Sequence, residues 1–353
     1  MNRLRLLAAA VCCAAVVLVQ PGSAQTLPYL LFERYVDALR VQTGIPGLSA
    51  AIIRDGRTEW EQGLGRQDVE RGIAALPDTP YPVAGLTQTV AITHLLRCAE
   101  ARQIDSFSDP IGKWVPTFPV AGANLRHVSA HATNGAPGVF RFDAGRFAAL
   151  TTVAEFCGSE SYAAIIAREI LDRLGMASSV PGTDLGTPDS PARALFTPSR
   201  LAHYGDVLQR TAVPYRLSGS GQAVRADFPV MGLSASTGLI STVRDLARFL
   251  SAIDSGVLLH PASVKLISTP AEFGAGPIPA AFGWFAQDVD GQRLVWQFGH
   301  HPDAYSSLIV RVPGKGLTLI MLANSGGLAS GVNLERGDIT ASPFVRIFQR
   351  LFL

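Results

Sequence analysis

The stretch Tyr81–Val90 reads YPVAGLTQTV, and it decides how the rest of the chain is interpreted. Apolar side chains recur at helical spacing from Gly85 to Ile104, which predicts a helix that begins inside this stretch. The residues before it have the apolar runs and turn signals of strands, whereas the residues after it have helical patterns up to about position 230. We therefore place the point where the chain leaves a sheet and enters a helical part at Gly85.

Strands are predicted on both sides of the helical part by turn sequences between apolar runs. Asp55-Gly56 and Asp290-Gly291 are hairpin signals, and a third pair flanks residues 313–316. The predicted strands are 48–54 with 57–64, 282–288 with 293–298, and 305–312 with 317–324. Helices are predicted at 162–174, 241–253 and 344–353, and long loops at 181–230.

This order of elements predicts an α/β plus all-α architecture. A mainly antiparallel sheet flanked by helices is expected from residues 25–84 and 231–353, with a helical insertion domain of residues 85–230. The length of 353 residues is enough to bury a sizeable core without a stabilising metal.

The first 24 residues predict a secretory signal peptide. Arg3 and Arg5 precede the apolar run 6–19, and small residues follow at Ser23 and Ala24. Cleavage is expected near Ala24/Gln25, which makes the mature chain periplasmic or secreted without a membrane span. A retained N-terminal anchor is the alternative, although the apolar run is short for crossing a bilayer.

The predicted mature chain is electrically balanced. The whole chain has 30 basic and 28 acidic residues, and the first 24 residues hold two arginines and no acid. The mature chain therefore has 28 of each, which gives no electrostatic footprint for nucleic acid. Cys98 and Cys157 remain after cleavage, and a disulfide between them is allowed in an exported protein; two buried thiols are the alternative.

Several kinds of site are excluded by their motifs. The sequence contains no HExxH, CxxC, Walker, GxGxxG or Gly-x-Ser-x-Gly pattern, and we expect no cofactor and no metal. His127 and His131 are four residues apart and read as a packed or hydrogen-bonded pair on one helix face. His300 and His301 lie between two predicted strands; adjacent histidines in extended chain point to opposite faces, so we do not expect them to chelate one ion.

Seven short sequence motifs, in a fixed order along the chain, carry a family resemblance. They are YPVAGLTQTV at 81–90, DSFSDPIGKWVP at 105–116, LRHVSAHATNG at 125–135, PGVFRFDA at 137–144, LGM at 174–176, GLISTVRDLARFL at 238–250 and FGHHPDAYSSL at 298–308. This order resembles the serine β-lactamase-related family of class C β-lactamases, penicillin-binding-protein-like esterases and DD-peptidases. The resemblance extends over about residues 30–325 and implies the fold expected above.

The family's chemistry needs three motifs, and this sequence departs from each. Where the resemblance implies Ser-x-x-Lys, the chain has Gly85 and Gln88, so the nucleophile and its base are both replaced. The Tyr-x-Asn motif is replaced by Phe142 and Ala144, which supply neither the hydroxyl nor the amide. The Lys/His-x-Gly motif becomes His300-His301-Pro302, in which a proline removes a backbone donor.

The loss of the lysine does not depend on the alignment. The chain has three lysines, and the residues three positions before them are Pro110, Ala262 and Val312. No Ser-x-x-Lys therefore exists anywhere in the sequence. Thr87 carries a hydroxyl but lies two positions along the helix from Gly85, about 200° around it.

Two hypotheses follow from different classes. In the first, the protein is an exported pseudoenzyme that binds a small ligand, peptide, cell-wall fragment or protein partner in or near the vestigial cleft. The candidate binding residues are Gly85, Gln88, Phe142, Asp143, His300 and His301. In the second, it is a hydrolase with rearranged chemistry, carried by His300, Asp143 or a bound water. The purely structural interpretation of the same positions is a helix start, a core aromatic, a turn and a strand end.

Overall fold

The computed structural model describes residues 27–219, 221–329 and 331–353. The predicted signal peptide lies outside these residues. The described residues form ten α-helices: α1 Leu27–Gln42, α2 Thr87–Glu100, α3 Leu125–Ser129, α4 Ala144–Phe147, α5 Leu150–Gly158, α6 Tyr162–Ile166, α7 Pro198–Gln209, α8 Val243–Asp254, α9 Pro261–Ser268 and α10 Pro343–Phe352. Within these residues, no helix is both long and apolar enough to cross a membrane.

The same residues form fourteen strands. They are β1 Gly47–Arg54, β2 Arg57–Asp68, β3 Ile73–Ala74, β4 Tyr81–Pro82, β5 Val180–Pro181, β6 Tyr215–Leu217, β7 Ala223–Arg225, β8 Leu239–Ser241, β9 Glu272–Phe273, β10 Gly276–Pro277, β11 Phe285–Val289, β12 Gln292–His301, β13 Tyr305–Val312 and β14 Leu317–Ala323.

Both ends of the described chain build one antiparallel sheet. Its strand order is β11-β12-β13-β14-β1-β2-β3, so the two segments meet where β14 pairs with β1. The β1–β2 hairpin closes at Asp55 and Gly56, which both have positive φ, as the predicted Asp-Gly turn requires. The predicted mainly antiparallel sheet flanked by helices is confirmed.

Helices cover the two faces of this sheet. On one face α1 and α10 pack against the sheet, where Phe32 and Phe348 meet Trp60 and Trp296 in one core. On the other face α8 contacts β1 and β14, and the core continues into α2 and α5. Successive residues of β12 serve the two cores in turn, because Leu294 lies in the first and Val295 in the second.

Helical elements between β3 and β8 differ in part from those predicted. A 3₁₀ turn, Ala84–Leu86, precedes α2, so the α-helix begins two residues later than expected. Residues 181–230 were expected as loops, but α7 lies within them. Its start is marked by Thr197, whose side chain accepts a hydrogen bond from the Arg200 amide, and by Pro198 at the first helical position. These capping signals outweigh the Gly- and Ser-rich composition of the segment.

Cys98 on α2 and Cys157 on α5 form a disulfide, with their Cα atoms 6.2 Å apart. Both side chains are buried, Cys157 at 7% exposure. The bridge closes a loop of 59 residues and fixes α5 against α2.

Candidate functional site

Gly85 stands where the resemblance implies a nucleophile, and the backbone of β12 lies directly against it. A Cβ on Gly85 would come 2.5 Å from the carbonyl oxygen of Phe298 and 3.4 Å from the Cα of Gly299. A Cβ on Gly299 would in turn lie 2.3 Å from the Val83 carbonyl oxygen. The start of α2 and the strand β12 are therefore in backbone-to-backbone contact, and two facing glycines permit it.

Hydrogen bonds hold the Gly85 turn in this place. The Ser307 hydroxyl of β13 donates to the Val83 carbonyl at 2.7 Å. The Val83 amide donates to the Leu239 carbonyl at 2.9 Å, next to the pairing of β4 with β8. Thr87 is fully buried, and its hydroxyl donates to the Ala84 carbonyl at 2.7 Å. The one hydroxyl close to Gly85 on the helix is thus committed to the backbone.

Gln88 stands where the resemblance implies the base, and it is fully buried in a polar network. Its Oε1 accepts hydrogen bonds from Nε2 of His131 at 2.9 Å and from Nε2 of Gln297 at 3.2 Å. Gln297 also donates to the Gly283 carbonyl at 2.9 Å and accepts from the Phe298 amide at 2.9 Å. Gln88 therefore joins α2 to β12 and to the segment after α3.

The protonation of His131 is fixed by its two partners. Nδ1 accepts a hydrogen bond from the Asp143 amide at 3.1 Å, so the proton of the neutral ring lies on Nε2, facing Gln88. Burial lowers the pKa of His131 to about 4. The imidazole is neutral at pH 7 with both nitrogens engaged, so it is not available as a general base.

The ring of Phe142 packs against the rings of His131 and Phe298. It lies 4.5 Å from that of His131 and 5.1 Å from that of Phe298. The next residue, Asp143, caps α4: its carboxylate accepts from the Arg146 amide at 2.9 Å and forms an ion pair with the Arg146 guanidinium at 3.4 Å. Ala144 is the first residue of α4. These contacts give Asp143 a structural role at a helix start.

His300 faces away from Gln88. Gln297 and Gly299 contact α2 and its preceding turn, whereas Phe298 and His300 share the opposite face of β12. The His300 side chain, together with Phe298 and the residues around Leu334 and Glu335, lines a pocket on this face of β12. The structure thus places Gly85 against the Phe298 backbone, Gln88 against Gln297 and Phe142 against the Phe298 ring. No hydrogen bond joins His300 to Gly85 or Gln88 among the described residues.

His301 and Pro302 lie at the end of the β12–β13 hairpin. His301 pairs with Tyr305, and the exposed Pro302 belongs to the turn between them. Pro302 therefore interrupts no hydrogen-bond ladder, because it lies beyond the last paired residue. The Nδ1 atom of His301 is buried without a hydrogen-bond partner among the described residues.

The interpretation of His127 and His131 as a pair on one helix face is wrong. Helix α3 ends at Ser129, and His131 has a φ of 52°, so the backbone turns away between the two histidines. His127 accepts a hydrogen bond from the Asn124 amide and stacks on Phe273 at 4.8 Å. Gln297 was not recognised from the sequence either; the available signal was a glutamine flanked by apolar residues inside a strand.

Other solved structures share this fold. The octameric penicillin-binding protein homologue from Pyrococcus abyssi superposes with a TM-score of 0.71 and 21% identity, covering 84% of this chain and 73% of that one. D-alanine carboxypeptidase AmpC from Burkholderia cenocepacia superposes with a TM-score of 0.69 and 18% identity, covering 92% and 99%. The fold is that of penicillin-binding and class C-like proteins.

The chain belongs to the β-lactamase family, whose model, described as Beta-lactamase, matches residues 32–339. Among curated proteins, the serine beta-lactamase-like protein LACTB, mitochondrial, of Homo sapiens is 30% identical over 81 residues, or 23% of this chain and 15% of that protein. Protein flp of Staphylococcus aureus is 32% identical over 74 residues, 21% and 15% of the two chains. The matched segment thus spans about a seventh of these relatives.

Proposed function

We propose that this protein is a catalytically inactive member of the β-lactamase family that acts by binding. The observation that carries the proposal is the contact between Gly85 and the Phe298 carbonyl oxygen, 2.5 Å from where a Cβ would stand. Acyl transfer needs a nucleophile, a base and space for a carbonyl group between them. At this position the chain has neither the groups nor the space.

The remaining polar groups support the same conclusion. The amide of Gln88 cannot take a proton from a nucleophile, and the neighbouring His131 has both nitrogens in hydrogen bonds. Asp143 caps a helix, and His300 faces the other side of β12. A rearranged hydrolase would have to draw its base from these residues. Within the described part of the chain, none of them has a hydrogen bond to a serine, threonine or cysteine side chain that could act as the nucleophile.

Binding is proposed near the closed cleft rather than inside it. The pocket at His300 combines apolar walls from Phe298, Val332 and Leu334 with the carboxylate of Glu335. A pocket that combines apolar walls with several polar groups suits a peptide end. We infer that a peptide or cell-wall fragment with a free amine binds here, because Glu335 and not an arginine lies at its rim. A periplasmic or secreted location, proposed from the N-terminal sequence, would bring the chain to such fragments.

Two measurements on the mature protein test this function. The first is intact mass after incubation with a fluorescent penicillin or a fluorophosphonate, with a Ser-x-x-Lys member of the family as the positive control. We expect no covalent adduct; an adduct on this chain would establish the hydrolase alternative.

The second measurement is the thermal shift with muropeptides, D-Ala-D-Ala peptides and β-lactams. We expect a peptide-dependent increase in Tm that is lost in Glu335→Gln and retained in the control Glu272→Gln, an exposed acid outside this pocket. Binding that survives Glu335→Gln unchanged, or no binding of any peptide, would remove the pocket from the proposal.

A further inference from the structure

A second cluster of chemically active side chains lies far from Gly85, around the disulfide. The imidazole of His94 and the sulfurs of Cys98 and Cys157 offer three donor atoms within 4.8 Å of one another. Among the described residues this is the single group of three His, Cys, Asp or Glu donors that converges in this way. All three side chains are buried, with His94 at 6% exposure.

Two further atoms that could coordinate a metal lie beside the disulfide sulfurs. Nε2 of His94 lies 3.4 Å from the sulfur of Cys98, and Oε1 of Gln103 lies 3.2 Å from the sulfur of Cys157. A disulfide sulfur carries no hydrogen, so it donates to neither atom. Two lone-pair donors therefore point at the sulfurs from two sides without receiving a proton.

The tautomer of His94 suits a metal ligand. The backbone carbonyl of Ala154 lies near the ring and favours a proton on the nitrogen that faces it. Because Nε2 faces the sulfur, this proton belongs on Nδ1, and the lone pair of Nε2 is free. Metal-bound histidines are oriented in this way by a carbonyl on the other ring nitrogen.

We propose that, after reduction of the disulfide, His94, Cys98 and Cys157 bind one thiophilic divalent cation, best matched by Zn²⁺. His94 and Cys98 lie one turn apart on α2, and Cys157 faces them from α5. Zinc–sulfur and zinc–nitrogen bonds of about 2.3 and 2.0 Å place tetrahedral ligands roughly 3.5–3.8 Å apart. The present distance of 3.4 Å between Nε2 and the Cys98 sulfur is close to that edge.

Charge and access also favour this site. Two thiolates neutralise Zn²⁺, so the buried complex has no net charge and needs no carboxylate. Cys157 is 7% exposed and the neighbouring Gln103 lies on the surface, which gives reductant and metal one route of entry. The fourth position is left to the Gln103 amide oxygen or to water.

A dithiol reductant can open the Cys98–Cys157 disulfide. The dithiol transfers two electrons and two protons, its own sulfurs become a disulfide, and the Cys98–Cys157 bond becomes two thiols. Binding of Zn²⁺ then releases both thiol protons to solvent. The site thus exists in two forms, one bridged and one metal-bound, and this inference is independent of the proposed function at Gly85.

Cobalt titration of the mature protein tests the proposal. After anaerobic reduction and removal of the reductant, we expect one equivalent of Co²⁺ to give tetrahedral d–d bands with thiolate-to-cobalt charge transfer, displaced by Zn²⁺. The oxidised protein should give neither. His94→Ala should weaken binding by at least about 100-fold, whereas His260→Ala, at a histidine whose side chain is 74% exposed, should not.

Each contrary outcome is decisive. Absence of the charge-transfer band in the reduced protein, or binding in His94→Ala as tight as in the parent, overturns the proposal. If the reduced chain unfolds, Zn²⁺ must restore its near-ultraviolet circular dichroism and its thermal transition. A chain that stays unfolded with Zn²⁺, or that Zn²⁺ restores equally well in Cys98→Ser/Cys157→Ser, would also refute it.

Discussion

The carbonyl oxygen of Phe298 occupies the space that a side chain on Gly85 would need, at 2.5 Å from its Cβ. The two residues belong to the turn before α2 and to β12, where the family resemblance implies the nucleophile and the edge of the substrate site. Their contact leaves no room for a side chain on Gly85 unless the backbone shifts.

Gly85→Ala tests this contact in its simplest form. Backbone cannot move aside as a flexible side chain can, so the added methyl group should destabilise the protein by about 1–3 kcal/mol. The measurement is the free energy of unfolding in urea. The control is Gly205→Ala on α7, where a Cβ meets nothing within 4 Å and helix propensity should raise stability by up to about 1 kcal/mol. Equal stability of Gly85→Ala and the parent would mean that the turn and β12 are not held together.

Stability should fall in acid because two histidines are buried in the neutral form. Burial lowers the pKa of His131 and of His94 to about 4 from 6.5. The unfolded chain therefore binds protons first as the pH falls. The contribution is fully present above pH 6.5, is lost progressively towards pH 4, and amounts to roughly 3 kcal/mol for each histidine.

His131→Asn isolates one of these contributions. Asparagine tolerates the positive φ of this position, so the backbone need not change. Urea unfolding at pH 7 and pH 4.5 should show a smaller acid-induced loss of stability in His131→Asn than in the parent, whereas His260→Ala should behave like the parent. An identical loss in all three proteins would show that His131 is not buried as a neutral ring.

Much of the fold was predictable because it depends on local signals. The Asp55-Gly56 and Asp290-Gly291 turns set the register of their hairpins, and apolar runs of strand length flank them. The predicted helices 241–253 and 344–353 agree with α8 and α10 to within two residues at each end. Helix α7 was missed, although Thr197-Pro198 was a legible start signal, because loop-like composition was given more weight.

The site was predictable only in part because its contacts join distant segments. The family resemblance implied a serine at Gly85 and a lysine at Gln88, but it gave no sign that β12 lies against these positions. The hydrogen bonds of Gln88 reach His131 and Gln297, 43 and 209 positions away along the chain. The local periodicity of the sequence does not show which distant residues lie in contact.

The N-terminal sequence makes an independent prediction about export. If residues 1–24 are a signal peptide, the mature chain should begin at Gln25 or within one or two residues of it. Intact-mass measurement on protein from the periplasm or the medium checks this. Full-length mass in a membrane fraction would instead establish the retained anchor.

Activity of the variant Gly85→Ser/Gln88→Lys tests the closed cleft most directly. The new serine would meet the Phe298 carbonyl, the new lysine would be buried beside His131, and Phe142 and Ala144 would still lack the second proton-transfer group. Groups that act as a unit recover little when restored in part. Hydrolysis of nitrocefin and of a p-nitrophenyl ester, measured with the unfolding transition of the same sample, should therefore stay at the level of the parent. Turnover well above the parent would contradict a closed cleft, because it would show an open pocket that lacked only the serine and lysine side chains.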